Sequence, residues 1–291
     1  RWVSVRRPLA AVAAMAIAAS AVAPVRDVSW PMPGWLFTAC DVGQGDGLVL
    51  STGPGRVVLV DAGPDAELID GCLERLGVHT LDALVLTHFH ADHVDGLPGV
   101  LRGRVVGEIL TTIVDDPSIE AQAVREQAAA HGTPVMPLVA GDRLEWPGVQ
   151  ARVWWPARLI RDGSVPNNAS VVLTVSVGGL GVVLLGDIER EAARAVLTAM
   201  RRDPEVPGWR VDVVKVAHHG SANRDDALLD ALAGPIAVVS VGRTNDYGHP
   251  APSTLLALRA RGFRVLRTDQ DGDVGVGLGS SQEILVAARG P

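Results

Sequence analysis

Residues 81–87, Leu-Asp-Ala-Leu-Val-Leu-Thr, lead directly into His88-Phe89-His90-Ala91-Asp92-His93. No other stretch limits the fold so tightly. A short, mostly apolar run of this kind reads as a strand covered on both faces, as in sheets packed between other layers. In extended backbone, residues two apart point the same way. His88 and His90 therefore share one side at the strand end, and Asp92 and His93 follow as the loop turns toward a helix near Leu97. A surface loop that happens to be rich in histidine is the bland alternative. Three imidazoles and a carboxylate crowded behind a buried strand argue against it. Such a donor set suits Zn²⁺, Mn²⁺ or Fe²⁺.

Further donors sit at the ends of later apolar runs. Asp187 closes Leu184-Leu185-Gly186-Asp187, and a carboxylate there can bridge two ions; as a plain residue it would cap the following helix. His218 and His219 follow the apolar run 211–217. One of them should complete the second site, and His218 is the expected ligand, with His219 orienting a ligand or the substrate. The expected metal set is His88, His90, Asp92, His93, Asp187 and His218, holding one or two divalent ions. Two ions about 3.5–4 Å apart can clamp an acyl or phosphoryl oxygen and activate a water. Asp92 is central to catalysis on this reading, and His249, in a loop before a helix, is a candidate general acid or phosphate contact. Asp61 and Asp46 are expected to buttress the His loop, and Ser221 to donate to a phosphate oxygen.

The surrounding pattern is α/β. Strands are expected at 36–41, 48–51, 56–60, 81–87, 108–112, 149–155, 171–177, 181–185, 211–217, 236–241, 265–268 and 273–278. Helices are expected near 66–76, 97, 118–131, 188–200, 225–233 and 252–261, with Ser118 capping its own. Each half opens with antiparallel hairpins and then alternates helix and strand. Two such halves face to face make a four-layer αβ/βα sandwich. With 47% hydrophobic and 20% charged residues in 291, the chain can bury a sizeable core. Its net charge of −7 excludes the broad basic face of a non-specific nucleic-acid binder, but not an enzyme that meets phosphates through metal ions. No nucleotide-cofactor motif is expected to operate.

Residues 1–30 form a separate expectation. Arg1, Arg6 and Arg7 flank an apolar run at 9–23, short of a bilayer at about 1.5 Å per helical residue. This matches a signal peptide or the last piece of a membrane helix, with a buried Ala-rich helix as the alternative. Either membrane reading leaves residues 31–291 outside the cytoplasm as one hydrolase domain. Cys40 and Cys72 fit no metal-binding spacing; a single disulfide and two buried thiols both remain open.

The His-x-His-x-Asp-His run with donors at later strand ends resembles the metallo-β-lactamase superfamily. The segments 41–46 (Asp-Val-Gly-Gln-Gly-Asp), 60–63, 167–170 (Asn-Asn-Ala-Ser), 184–187, 218–221 and 247–250 (Tyr-Gly-His-Pro) resemble the C-terminal hydrolase domain of ComEC-type competence proteins. That resemblance implies the four-layer metallo-β-lactamase sandwich and a DNA-uptake membrane channel as partner. It also implies hydrolysis of DNA phosphodiester bonds by metal-activated water. The sequence departs from the superfamily at Asn167-Asn168, where a further histidine ligand is often found. An Asn or a water must then fill the place, with Asn168 expected near the ligands or the substrate, which leaves room for Mn²⁺ or for one dominant metal. A small ester, thioester or lactam substrate would suit the same centre. A metal-stabilised module without catalysis is the reading from a different class.

Overall fold

The computed structural model describes residues 24–204 and 210–290. The apolar run at 9–23 lies outside the described residues. The strands are β1 Val25–Asp27, β2 Phe37–Ala39, β3 Leu48–Gly53, β4 Arg56–Val60, β5 Thr80–Leu86, β6 Val105–Val106, β7 Ile109–Thr111, β8 Val135–Pro137 and β9 Arg143–Trp146. They continue with β10 Val149–Trp155, β11 Val172–Val177, β12 Leu180–Leu184, β13 Val213–Lys215, β14 Ile236–Val239, β15 Arg264–Arg267, β16 Val274–Leu278 and β17 Ile284–Ala288. The helices are α1 Ala66–Arg75, α2 Ala91–Val94, α3 Leu97–Leu101, α4 Ser118–His131, α5 Arg190–Arg202, α6 Asp226–Ala231, α7 Pro252–Ala260 and α8 Thr268–Asp271.

Among the described residues these strands form two sheets. The first runs β1-β17-β16-β2-β3-β4-β5-β7-β8, with β6 also on β5; the second runs β15-β14-β13-β12-β11-β10-β9. Three apolar clusters define the layers. Phe37, Leu48, Val58, Val85 and Val276 of the first sheet meet Val149, Val175, Val182, Val213 and Ile236 of the second. Leu84 and Leu86, on the opposite face of β5, pack with Ile69 and Leu73 of α1 and Val124 of α4. Val183 and Val214 pack with Val196 and Leu197 of α5 and Leu258 of α7. The result is the expected αβ/βα sandwich, and strand alternation assigns each side chain to its layer.

One irregularity matters on β5. Its register against β4 shifts between Val57 and Val58, so Leu81 pairs with Val57 and Ala83 with Val58. The bulge leaves the Asp82 carboxylate to Thr52 Oγ1 and the Arg56 guanidinium. Past it, Ala83 and Val85 face the other sheet while Leu84 and Leu86 face the helices. That phase fixes which way the chain leaves the strand at Thr87.

Three expectations change. The folded domain reaches back beyond residue 31, because β1 pairs in parallel with β17. Strands β6, β8, β9 and β17 lie outside the expected set, although β17, Ile-Leu-Val-Ala-Ala, is continuously apolar. Ser118 does not cap α4: Pro117 holds the cap position, without a side-chain hydrogen bond. Asp65 does cap α1, accepting from the Glu67 and Leu68 amides at 2.8 and 3.0 Å.

Cys40 and Cys72, both fully buried, are joined as a disulfide. It links the turn after β2 to α1, across a sequence separation of 32. Cross-linking a loop of that size removes denatured-state entropy worth about 3–4 kcal/mol. Cys72→Ser is expected to lower unfolding stability by about 3 kcal/mol. Urea denaturation of the variant, and of the parent chain with and without reductant, measures this; equal midpoints would contradict it.

Candidate metal centre

Parallel strands from both sheets end at one edge, and every donor lies just past such an end. Strands β4 and β5 pair in parallel in the first sheet, and β12, β13 and β14 in the second. The sheets are stitched together at this edge by Val171 N–H donating to Thr87 O at 2.9 Å. Gly45 in the turn between β2 and β3 lies hard against the His loop. Its φ is +147°, and a Cβ there would stand 2.1 Å from Asp92 O, so only glycine allows the approach.

Four side chains converge. The ligand atoms of Asp92, His93, Asp187 and His219 lie within 4.8 Å of one another. His219 Nε2 is 3.2 Å from both Asp92 Oδ2 and Asp187 Oδ2. His93 Nε2 is 3.4 Å from Asp187 Oδ2 and 3.8 Å from Asp92 Oδ2. Alongside, the His88 ring lies 4.2 Å from that of His93, and His88 Nε2 faces His90 Nδ1 at 3.1 Å. All of the expected His-loop residues and Asp187 therefore share one centre.

The rear nitrogens of His93, His219 and His88 are held, which sets the nitrogen that faces the cluster. His93 Nδ1 meets Asp61 Oδ2 at 2.8 Å. His219 Nδ1 meets the Ser240 carbonyl at 2.9 Å. His88 Nδ1 has Thr87 Oγ1 at 3.1 Å and Ser170 Oγ at 3.3 Å. Asp61 in turn accepts from the Thr87 amide at 2.7 Å and its hydroxyl at 2.8 Å. Asp61 thus buttresses the loop as expected from its place after β4. Ser170 also accepts from the Asp187 amide at 3.1 Å, joining the two sheets' ligands.

The pair His218-His219 reverses its expected roles. Both residues have left-handed backbone, with φ of 49° and 50°, and this tight turn swings His219 inward. His218 Nε2 lies 4.0 Å from Asp187 Oδ2 and its Nδ1 3.9 Å from Glu189 Oε1, on the half-open side of the centre. Asn167 Nδ2 approaches His218 Nε2 at 3.5 Å, and Asn167 Oδ1 is buried without a partner. Asn167, and not Asn168, is thus the amide that faces the centre. Asn168 points elsewhere: its Oδ1 accepts from the Glu189 and Ala192 amides at the start of α5, and its Nδ2 donates to Asp162 O. That amide is consumed as a helix cap supplied from a distant part of the chain. Ser221 is likewise not brought in: its hydroxyl accepts from the Asn223 amide at 3.2 Å.

Lys215, the single lysine of the chain, was missed as a site residue. It is fully buried on β13, paired with Asp46 and 3.5 Å from Asp187 Oδ1, and it donates to Gly186 O at 3.0 Å. A lysine inside an apolar run is the available signal, since a buried ammonium needs partners. Burial opposes its charge, but Asp46 and Asp187 hold its pKa above the ordinary lysine value.

The charges are mutually dependent. Burial would raise the Asp92 and Asp187 carboxyls, but His93, His219 and, for Asp187, Lys215 hold both below their ordinary values. Burial opposes the charge on His219, yet Asp187 and Asp92 pull it up to about 10; His93 is raised by Asp187, Asp61 and Asp92. Burial, with His93 beside it, pushes His88 well down. His249, its ring 5.2 Å from His218, is lowered to about 4 by burial and by His218 and His219. Both effects favour its neutral form.

These residues fit a divalent cation. His93 Nε2 and His219 Nε2 are buried without a well-directed hydrogen bond, although carboxylates stand 3.2–3.4 Å away. Two imidazoles and two carboxylates at that spacing supply the donor types a divalent ion takes. The same imidazoles hold protons when no cation competes for them. Cation binding is therefore expected to release at least one proton at pH 7, with affinity falling as pH drops. Calorimetric titration with Mn²⁺ in buffers of different ionisation enthalpy measures the release; a pH-independent affinity would contradict it.

Comparison with known proteins agrees with this geometry. The family model of the metallo-beta-lactamase superfamily matches residues 40–243. ComE operon protein 3 of Bacillus subtilis (strain 168) is 30% identical over 258 residues, covering 80% of this chain and 32% of that protein. Competence protein ComA of Neisseria gonorrhoeae is 29% identical over 246 residues, covering 83% of this chain and 32% of that protein. The chain thus spans about a third of the length of these two relatives. Among solved structures, Zn²⁺-bound PqqB from Methylobacterium extorquens superposes with a TM-score of 0.51 at 15% identity, covering 77% of this chain and 85% of that one. The fold protein YhfI from Bacillus subtilis gives 0.50 at 12%, covering 79% and 95%. From the ligand-bearing strand ends to the layered sheets, the chain belongs to the metallo-beta-lactamase superfamily.

Proposed function

We propose that this domain hydrolyses phosphodiester bonds of DNA during competence-related uptake, acting outside the cytoplasm. The observation that carries the reading is the convergence of Asp92, His93, Asp187 and His219, with His88 and His90 beside them, in a chain similar to two competence proteins. A divalent ion held by these donors, Zn²⁺ or Mn²⁺, supplies Lewis-acid polarisation of a phosphoryl oxygen and acidifies water. The chain's own groups supply the rest. Asp61, Thr87, Ser170 and the Ser240 carbonyl keep the imidazoles aimed. Lys215 neutralises part of the carboxylate charge from behind. His249 stands at the rim, its ring 5.2 Å from that of His218, as the proposed proton-transfer group or phosphate contact.

The Cys40–Cys72 disulfide supports an oxidising compartment, because such bonds rarely persist in a reducing cytosol. No helix among the described residues is long and apolar enough to cross a membrane, so attachment to a channel rests on the likeness to competence proteins.

Asp92→Ala is expected to reduce Mn²⁺-dependent cleavage of labelled DNA by more than about 100-fold while leaving the circular-dichroism spectrum intact, since even residues that only orient ligands are worth about 10–100-fold. Asp61→Asn is expected to weaken Mn²⁺ affinity by about 10–100-fold, read by calorimetry. A folded Asp92→Ala protein that still cleaves would sink the assignment. A panel including thioester, lactone and β-lactam substrates tests the substrate class: turnover of one of these without DNA cleavage would replace DNA as the substrate.

A further inference from the structure

Tyr247 is the single tyrosine of the chain and is 73% exposed. Among the described residues it is the one exposed Phe, Tyr or Trp. An exposed aromatic ring on its own is unremarkable surface. This ring is held in place beside the metal centre. It stacks on His249 with centroids 5.9 Å apart and planes at 23°. His249 in turn packs edge-on against His218 at 5.2 Å and lies 6.5 Å from His219.

The loop that carries the ring is pinned at both ends. Asn245 Nδ2 donates to Gly242 O at 3.0 Å and to His249 O at 2.8 Å, and Asn245 Oδ1 accepts from the His249 amide at 3.0 Å. Gly242 sits so close to the turn before Asp46 that a Cβ would stand 2.5 Å from Gln44 N, and its amide donates to Gln44 Oε1 at 3.2 Å. One face of the tyrosine is thus backed by an imidazole, on a loop already pinned in place. The loop lies past residue 243, where the family match ends.

We propose that Tyr247 is a stacking platform for one unpaired nucleobase next to the scissile phosphate of a single-stranded DNA substrate. The inference rests on the phosphodiesterase reading above and names the form of its substrate. Stacking is independent of sequence, because every base has a π-face. It also suits an acidic chain: with a net charge of −7, backbone attraction to polyphosphate contributes little, so affinity must come from contacts of another kind. Duplex DNA keeps its bases paired and stacked on each other and cannot offer one to the ring without unstacking.

The test compares Tyr247→Ala and Tyr247→Phe with the parent protein in Mn²⁺, on a 12-residue oligothymidylate and on the same strand with abasic positions. Tyr247→Ala is expected to raise KM for the intact strand by about 5- to 100-fold, with a much smaller effect on the abasic strand. Tyr247→Phe is expected to stay close to the parent. Anisotropy of the fluorescein-labelled strand on an Asp92→Ala background gives the same comparison without turnover. If the parent cleaves DNA but Tyr247→Ala shows no change, or an equal change on both strands, the platform is overturned while the hydrolase reading stands. If the parent cleaves no nucleic acid, that reading fails; anisotropy then decides the platform, which falls if the strand does not bind or binds Tyr247→Ala equally.

Discussion

The structure depends on keeping several charges buried at the junction of two sheets without leaving any unpaired. Asp61 bears most of that requirement. Fully buried and in a left-handed conformation with φ of 60°, it collects the Thr87 amide, the Thr87 hydroxyl and His93 Nδ1. Those contacts bind the end of β4 to the start of the His loop. A buried carboxylate is costly unless it is hydrogen-bonded, and here the bonds that lower the cost also orient a metal ligand. Lys215 plays the matching part from the second sheet, between Asp46 and Asp187. Position and charge are thus solved together: the ligands are placed by the groups that make their burial tolerable.

Much of this was legible in the sequence where local rules dominate. The β5 run and the histidines after it follow from strand alternation and an unmistakable donor set. The bounds of β4 and β10 match their apolar runs, and Asp187 stands where a strand-end carboxylate was expected. What was hidden depended on contacts far apart in sequence or on backbone reversals. Which of His218 and His219 turns inward is decided by two consecutive left-handed residues, and no composition rule signals them. Asn168 reads as part of a site motif, yet its amide serves the start of α5. The Cys40–Cys72 pairing needs α1 to fold over the turn after β2. Strand β1 has only three residues and no alternation of its own.

The acidic composition looks awkward for the proposed polyanionic substrate. The geometry reduces the conflict. Negative charge near the centre is drawn into ion pairs with His93, His219 and Lys215, and a bound divalent ion would offset it further. Substrate selection can then rest on shape and on aromatic contact at the rim.

Strand β1 lies at the outer edge of the first sheet, six neighbours away from β5. At about 4.8 Å per step, that is on the order of 30 Å across the sheet. Strand β1 therefore lies at the flank of the first sheet, far from the His loop that follows β5. A partner docking along β1 would leave the His loop unobstructed, as a lamp on a side bracket lights the doorway without standing in it.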